Sequence, residues 1–328
     1  MRLGKLGLIV TLAAAILAAP LAADAQPPPK TPRIGYLGSA SPSAGAHLLE
    51  AFRQGLRELG YVEGQNIVIE FRSAEGKWER LPDLAAELVR LKVDVIVGNT
   101  PATLTAKQAT RTIPIVMAVA GDPVGSGLVA SLARPGGNVT GSSIMVPELA
   151  GKRLQLLKEV VPGASRGAVL SNPTVTTTKL VVGETEAAAR LLGVQLRSLE
   201  IRAPEDIDRA FEAAIRGRAS ALIVVDDPLV VAHRARIIAL AAKSRLAAVY
   251  PLREFVDAGG LMSYGANIAD SYRRAATYVD KILKGAKPTD LPVEQPTRFE
   301  FAINMKTAKA LGITFPQSIL IRADQVIQ

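Results

Sequence analysis

The side chains best placed for chemistry come in pairs that end in proline. Ser41-Pro42, Thr100-Pro101, Asp122-Pro123, Asn172-Pro173 and Asp227-Pro228 each set a capping residue ahead of a proline. Ser, Thr, Asp and Asn are favoured at helix N-caps and proline at the first helical position, so each pair predicts a helix N-terminus. The free N–H groups and partial positive charge of such an end suit a carboxylate. Thr100-Pro101-Ala102-Thr103 is the strongest of these candidates. Its side chains are small enough for a ligand to reach the backbone, and Thr103 adds a hydroxyl. Ser39 and Ser41 can serve the same anion. Asp226-Asp227-Pro228 offers the opposite charge. With Asp227 occupied as a cap, Asp226 is either left for a cation or is a solvated loop acid. A ligand with one carboxylate and one ammonium would satisfy both segments. Asp122 and Asn172 join the candidate set on the same capping argument. Tyr250 and Tyr264 end apolar runs, where stacking on an apolar ligand and packing in the core are equal alternatives.

The remaining chemistry-bearing residues argue against catalysis. His47 and His233 fall in helical patterns without metal-type spacing, and there is no cysteine. No Gly-x-Ser-x-Gly elbow occurs. The first apolar run leads into Gly38-Ser39-Ala40-Ser41, which is no dinucleotide loop. Gly125-Ser126-Gly127-Leu128-Val129-Ala130 imitates one but follows a fourth strand, the wrong place, and reads as a flexible turn. Trp78, at the start of a helix, reads as a surface or packing residue. The expectation is a protein with no cofactor and no enzymatic turnover.

The elements that must carry these residues repeat. Apolar β-type runs alternate with helical patterns, which predicts parallel sheets with crossover helices. Arg33–Gly38 matches Arg166–Ser171, 133 positions later, and Leu59-Gly60 matches Leu192-Gly193 at the same offset. Second strands follow at 67–71 and 194–199, third strands at 93–98 and 221–226, fourth strands at 113–117 and 247–250. Glycine turns at 136–141 and 259–265 lead into fifth strands, and long helices follow near 148–160 and 268–283. Five strands in one order, twice, predict an α/β architecture of two similar doubly wound parallel-sheet lobes. In open parallel sheets ligands lie beyond the strand carboxyl ends, where the capping pairs stand, so a cleft between the lobes is the expected site.

Composition bounds the rest. Arg2 and Lys5 precede an apolar run from Leu6 to Ala19, and Ala23-Asp24-Ala25 follows. This predicts a secretory signal peptide over residues 1–25, because the run is shorter than the roughly 20 residues of a membrane span. A stiff polar linker at 26–31 follows, and the absence of thiols suits an oxidising compartment. The remainder is long enough for two domains. A net charge of +9 is spread over helices without dense basic runs or interleaved aromatics, so no nucleic-acid partner is expected.

Several longer strings resemble one family. They are Gly121–Val129, Ala133–Gly141, Gly260–Gly265, Val279–Gly285 and Ile319–Asp324. They are similar to the bacterial ABC transporter substrate-binding proteins described as tryptophan/tyrosine receptors, which look like type I periplasmic binding proteins. The resemblance runs from about Arg33 to Ile327. It implies two lobes joined by three crossing segments, with lobe 1 at 32–144 plus about 267–298 and lobe 2 at 145–266 plus about 299–328. It implies a periplasmic receptor, expected as a monomer, that traps a small molecule, either an amino acid (aromatic ones included) or a related carboxylate. Its membrane partners would be an ABC permease and an ATPase. A ligand-sensing partner of a membrane receptor and an enzyme on the doubly wound fold are the alternatives. A repressor of this fold is excluded by the export signal and by the lack of a helix-turn-helix ahead of the first lobe.

Overall fold

The computed structural model describes residues 31–144, 147–174 and 178–328. The expected signal peptide and most of the linker lie outside them. Residues 32–328 form one compact unit.

Its first run of elements is β1 (Arg33–Gly38), α1 (Pro42–Glu58), β2 (Val68–Ser73), α2 (Leu81–Arg90), β3 (Val95–Asn99), α3 (Thr100–Ala109), β4 (Ile115–Ala120) and β5 (Val139–Ser143). The second is α4 (Leu149–Val160), β6 (Arg166–Ser171), α5 (Thr178–Leu191), β7 (Gln195–Glu200), α6 (Asp206–Arg216), β8 (Ala221–Val224), α7 (Pro228–Ala232), α8 (Arg234–Lys243), β9 (Ala247–Tyr250), α9 (Arg253–Asp257) and β10 (Met262–Ala266). The chain closes with α10 (Ile268–Leu283), β11 (Phe299–Asn304), α11 (Met305–Leu311), α12 (Gln317–Arg322) and β12 (Gln325–Ile327).

The repeat read in the sequence is a repeat of topology. The first sheet has the order β2-β1-β3-β4-β5, and the second contains β7-β6-β8-β9-β10, the same order with every pair parallel. Central strands such as Val95–Asn99 and Ala221–Val224 are buried on both faces, as a sheet covered by helices on each side requires. Covering helices present apolar residues at helical spacing: Leu81, Leu84, Ala85 and Leu88 on α2, and Ile207, Ala210, Phe211 and Ala214 on α6.

Three features go beyond the repeat. The second sheet continues past its fifth strand, with β11 antiparallel to β10 and β12 parallel to β11. The segment before β11 is bonded to β5 of the first sheet, so β11 enters the second sheet from the strand carboxyl ends and must run downward. The long helices also change sheets. Although it follows β5, α4 packs on β8, β9 and β10, while α10, which follows β10, packs on α1, β3, β4 and β5. Finally, the connection ahead of β11 is laced to the first: Ser143 N donates to Glu294 O at 2.9 Å, and Glu294 N donates to Gly141 O at 3.0 Å.

Candidate ligand site

The strand carboxyl ends of the two sheets carry the candidate residues, and the structure sorts them. In the first lobe Ser39 is buried, and its Oγ accepts from Asn99 Nδ2 at 2.6 Å. Ser41 starts α1, with its Oγ 3.3 Å from Ser43 Oγ. Helix α3 begins at Thr100, but its cap is Asn99, in extended backbone and without a side-chain capping bond. Thr100 Oγ1 faces the next loop, accepting from Gly121 N at 3.4 Å.

Two expectations at this helix fail. Ala102 and Thr103 are 1% and 0% exposed and form, with Ala106, the inward stripe of α3. Ala102 packs so closely on β3 that a Cβ at Gly98 would stand 2.8 Å from it. The Thr103 hydroxyl donates to the Asn99 carbonyl, so it has no donor left for a ligand. Positions 102 and 103 point inward because they share a helical face with 106, a periodicity that the proline-cap signal hides. The residue with an unspent polar atom in their place is Asn99, the cap of the helix, half-buried beside Ser39. Its Oδ1 is buried without a hydrogen-bond partner among the described residues.

The capping pairs also divide. Ser41-Pro42 and Asp227-Pro228 stand at helix starts, and Thr100-Pro101 lies one residue inside its helix. Asp122-Pro123 and Asn172-Pro173 form turns instead. Asp122 Oδ1 accepts from Gly125 N at 2.8 Å, and Asn172 Oδ1 accepts from Thr174 N and Oγ1 at 3.0 and 2.7 Å. An Asx side chain bonded to the backbone two or three residues on closes a turn as readily as it caps a helix.

In the second lobe Asp227 is spent as a cap, with Oδ1 accepting from Leu229 N at 2.7 Å and Val230 N at 3.3 Å. Its Oδ2 accepts from Asn172 Nδ2 at 3.2 Å. Asp226 is half-buried and has no hydrogen bond among the described residues. Burial pushes its carboxyl up to about 6, against the opposing pull of Arg153. Arg153, on α4, is 8% exposed, and its Nε donates to the Tyr264 carbonyl at 2.7 Å. Burial lowers its guanidinium to about 10, with Asp226 the first of the groups that hold it charged. Glu254 of α9 adds a third acid. Its Oε2 is buried without a partner among the described residues, and burial raises its carboxyl, with His47 of the first lobe pulling the other way.

The tyrosines part company. Tyr250 is 1% exposed and stacks on Phe255 with centroids 4.9 Å apart, so it is core, and a role against a ligand is excluded. Tyr264 is half-buried in the middle of β10, 6.0 Å from Phe299 and edge-on to Phe301, with part of its surface left open. Trp78 is 47% exposed at the start of a short helical turn, in keeping with a surface residue. The loop before it is tied to the Ser39 loop by Gly76 N to Ser39 O at 2.8 Å and Ser73 Oγ to Ala40 O at 2.7 Å.

Sequence reasoning missed Arg153, Asn99 and Glu254. Arg153 lies in Gly151-Lys152-Arg153, which reads as the wet face of a helix, and only the fold brings it to Asp226.

The chain matches the family model described as ABC transporter substrate binding protein over residues 42–327. It belongs to that family. The tyrosine-binding protein of Clostridioides difficile (strain R20291) is 29% identical over 265 residues, 80% of this chain and 76% of that protein. The structure of an ABC domain in complex with L-Trp from Streptococcus pneumonia is 30% identical, with a TM-score of 0.80 over 90% of this chain and 100% of that one. A leucine-binding protein from Thermotoga maritima, 16% identical with a TM-score of 0.51 over 79% of this chain and 78% of its own, shares the fold. The two-lobed α/β architecture of type I periplasmic binding proteins is thus the frame of this substrate-binding protein.

The acid just beyond β8 has a measurable signature. The folded Asp226 carboxyl is raised to about 6 from an ordinary 3.8, so between those values the folded state holds a proton that the unfolded chain has released. Stability therefore falls as pH rises from about 4 to about 6, by on the order of 3 kcal/mol for this group, and levels off above. Asp227 and Glu254 shift in the same direction, so Asp226→Asn should flatten the slope without abolishing it. Urea unfolding at pH 4.5, 6 and 7.5 checks this. Equal slopes in the two proteins would show that Asp226 is not a buried carboxylate.

Proposed function

We propose that this substrate-binding protein is an extracytoplasmic amino-acid receptor that hands its ligand, chemically unchanged, to a permease and ATPase in the membrane. The observation that carries the reading is Asp226. It is a half-buried carboxylate without a hydrogen-bond partner among the described residues, at the end of a central strand, with Arg153 favouring its ionised form. A charge kept in that setting suits a ligand cation, and an α-ammonium has the three donors to satisfy it. The ligand carboxylate is assigned to the Ser39–Asn99–Thr100 corner of the first lobe. The relatives named above support an aromatic side chain, and Tyr264 is the half-open ring that could pack on it. Residues 1–25 are removed on export in this reading, and N-terminal sequencing of the exported protein should begin at Gln26.

Titration calorimetry with tyrosine and tryptophan, and with the matching acids that lack the amino group, tests the assignment. A hydrogen bond to a charged group contributes roughly 1.5–3 kcal/mol, so Asp226→Asn should weaken the amino acid by about ten- to a hundredfold. The deaminated acid should lose much less. Equal losses on both ligands, or none, would remove Asp226 from the site.

A further inference from the structure

The pole of the second lobe away from the strand carboxyl ends concentrates one sign of charge. Strands β6, β8 and β9 are neighbours, and Arg166, Arg218 and Arg245 stand at or just before their starts, beside Lys243 at the end of α8. All four are exposed, and none has an ion pair among the described residues. Arg216 nearby is paired with Glu212 at 3.5 Å. The corresponding strand starts of the first lobe carry an exposed cation, Lys92, beside acids: Arg33 lies 3.8 Å from Glu70, and Asp94 accepts from the Arg33 backbone N–H.

Favourable helix C-terminal electrostatics account for Lys243 but not for the two arginines beyond their helices. Arg218 and Arg245 have φ of 52° and 51°, a left-handed conformation costly for a side chain that Lys92 of the first lobe shares at 51°, whereas glycine fills the like turns at Gly60 and Gly193. Large apolar side chains flank this row from both faces of the sheet: Leu191 at the end of α5 is 89% exposed, and Ile215 at the end of α6 is 55% exposed.

We propose that this pole docks on an anionic lipid bilayer, the cations meeting headgroups and Leu191 and Ile215 entering the boundary with the acyl chains. Unpaired cations around exposed apolar tips match a surface that is negative outside and apolar just beneath. A purely polar anionic partner would leave the two apolar side chains without a role.

The test uses the chain starting at Gln26, which keeps the whole compact unit of residues 32–328 and excludes the apolar run at 6–19 as a source of lipid binding. Co-sedimentation is measured with phosphatidylcholine vesicles with and without phosphatidylglycerol. Binding should need phosphatidylglycerol and weaken with salt. Arg218→Gly with Arg245→Gly relieves both strained turns, so the variant should fold at least as well, yet partition about 25-fold less, at about fivefold per charge. Leu191→Ser with Ile215→Ser should lower the partition that survives in high salt. No binding to phosphatidylglycerol vesicles, or unchanged binding by the glycine variant, would overturn the proposal. So would binding to a soluble polyanion as tight as to vesicles with no effect of the two serines, which would point to an acidic polymer instead.

Discussion

Arg153→Met should cost about 1.5–3 kcal/mol of stability and abolish measurable amino-acid binding. The guanidinium is buried, bonded to the Tyr264 carbonyl at 2.7 Å, and coupled to Asp226. The two charges make no ion-pair contact, so the loss is that of the Tyr264 hydrogen bond and of the positive field that favours the half-buried Asp226 carboxylate. At neutral pH Asp226 would then take up a proton more readily and lose its attraction for an ammonium. Urea unfolding measures the first effect and calorimetry the second. The double variant Arg153→Met with Asp226→Asn should regain part of the lost stability, because no carboxylate then remains there without that field. If the two losses simply add, the residues do not act as a pair.

The second large effect is expected at two glycines, one on the fifth strand of each repeat. A Cβ at Gly141 on β5 would stand 2.1 Å from the Met117 carbonyl oxygen, and one at Gly265 on β10 would stand 1.8 Å from that of Pro251. In both sheets the fifth strand passes the chain of the fourth too closely for any side chain. Both obstacles are backbone atoms, so no rotamer relieves them, and Gly141 also has φ of +133°. Gly141→Ala and Gly265→Ala should each destabilise by about 3 kcal/mol. Gly183→Ala, at an exposed helical position with nothing within 4 Å, is the control and should be neutral or slightly stabilising. Denaturant midpoints decide it, and a midpoint for either clashing variant equal to that of the control would show that the strands can separate at little cost.

The strand order was legible because a parallel strand buried on both faces must be a continuous apolar run, and the runs recur at a nearly constant offset. Asp227 could be read as a cap because its partners, Leu229 and Val230, are local. The turns at Asp122 and Asn172 were misread because the same Asx chemistry serves helix starts and tight turns. Thr103 was misread because a hydroxyl near a helix start can turn back to its own carbonyls. Arg153 was illegible for a different reason: its partners Asp226 and Tyr264 are distant in sequence, and no spacing rule links residues that only tertiary packing joins. Antiparallel β11 was hidden likewise, since strand direction follows from where the chain crosses between lobes.

The exchange of long helices bears on the order of folding. The face of the first sheet that carries Tyr36 and Val97 is covered by Tyr272, Ala276 and Val279 of α10. Gly55 of α1 is what lets α10 come so near, since a Cβ there would stand 2.2 Å from the Arg273 carbonyl. During synthesis the first half of the chain therefore emerges without its own lid and stays incomplete until residues 268–283 follow. The leading half thus cannot close before the trailing one has been made, a delay that would serve the export proposed above by keeping the chain open for threading through a membrane.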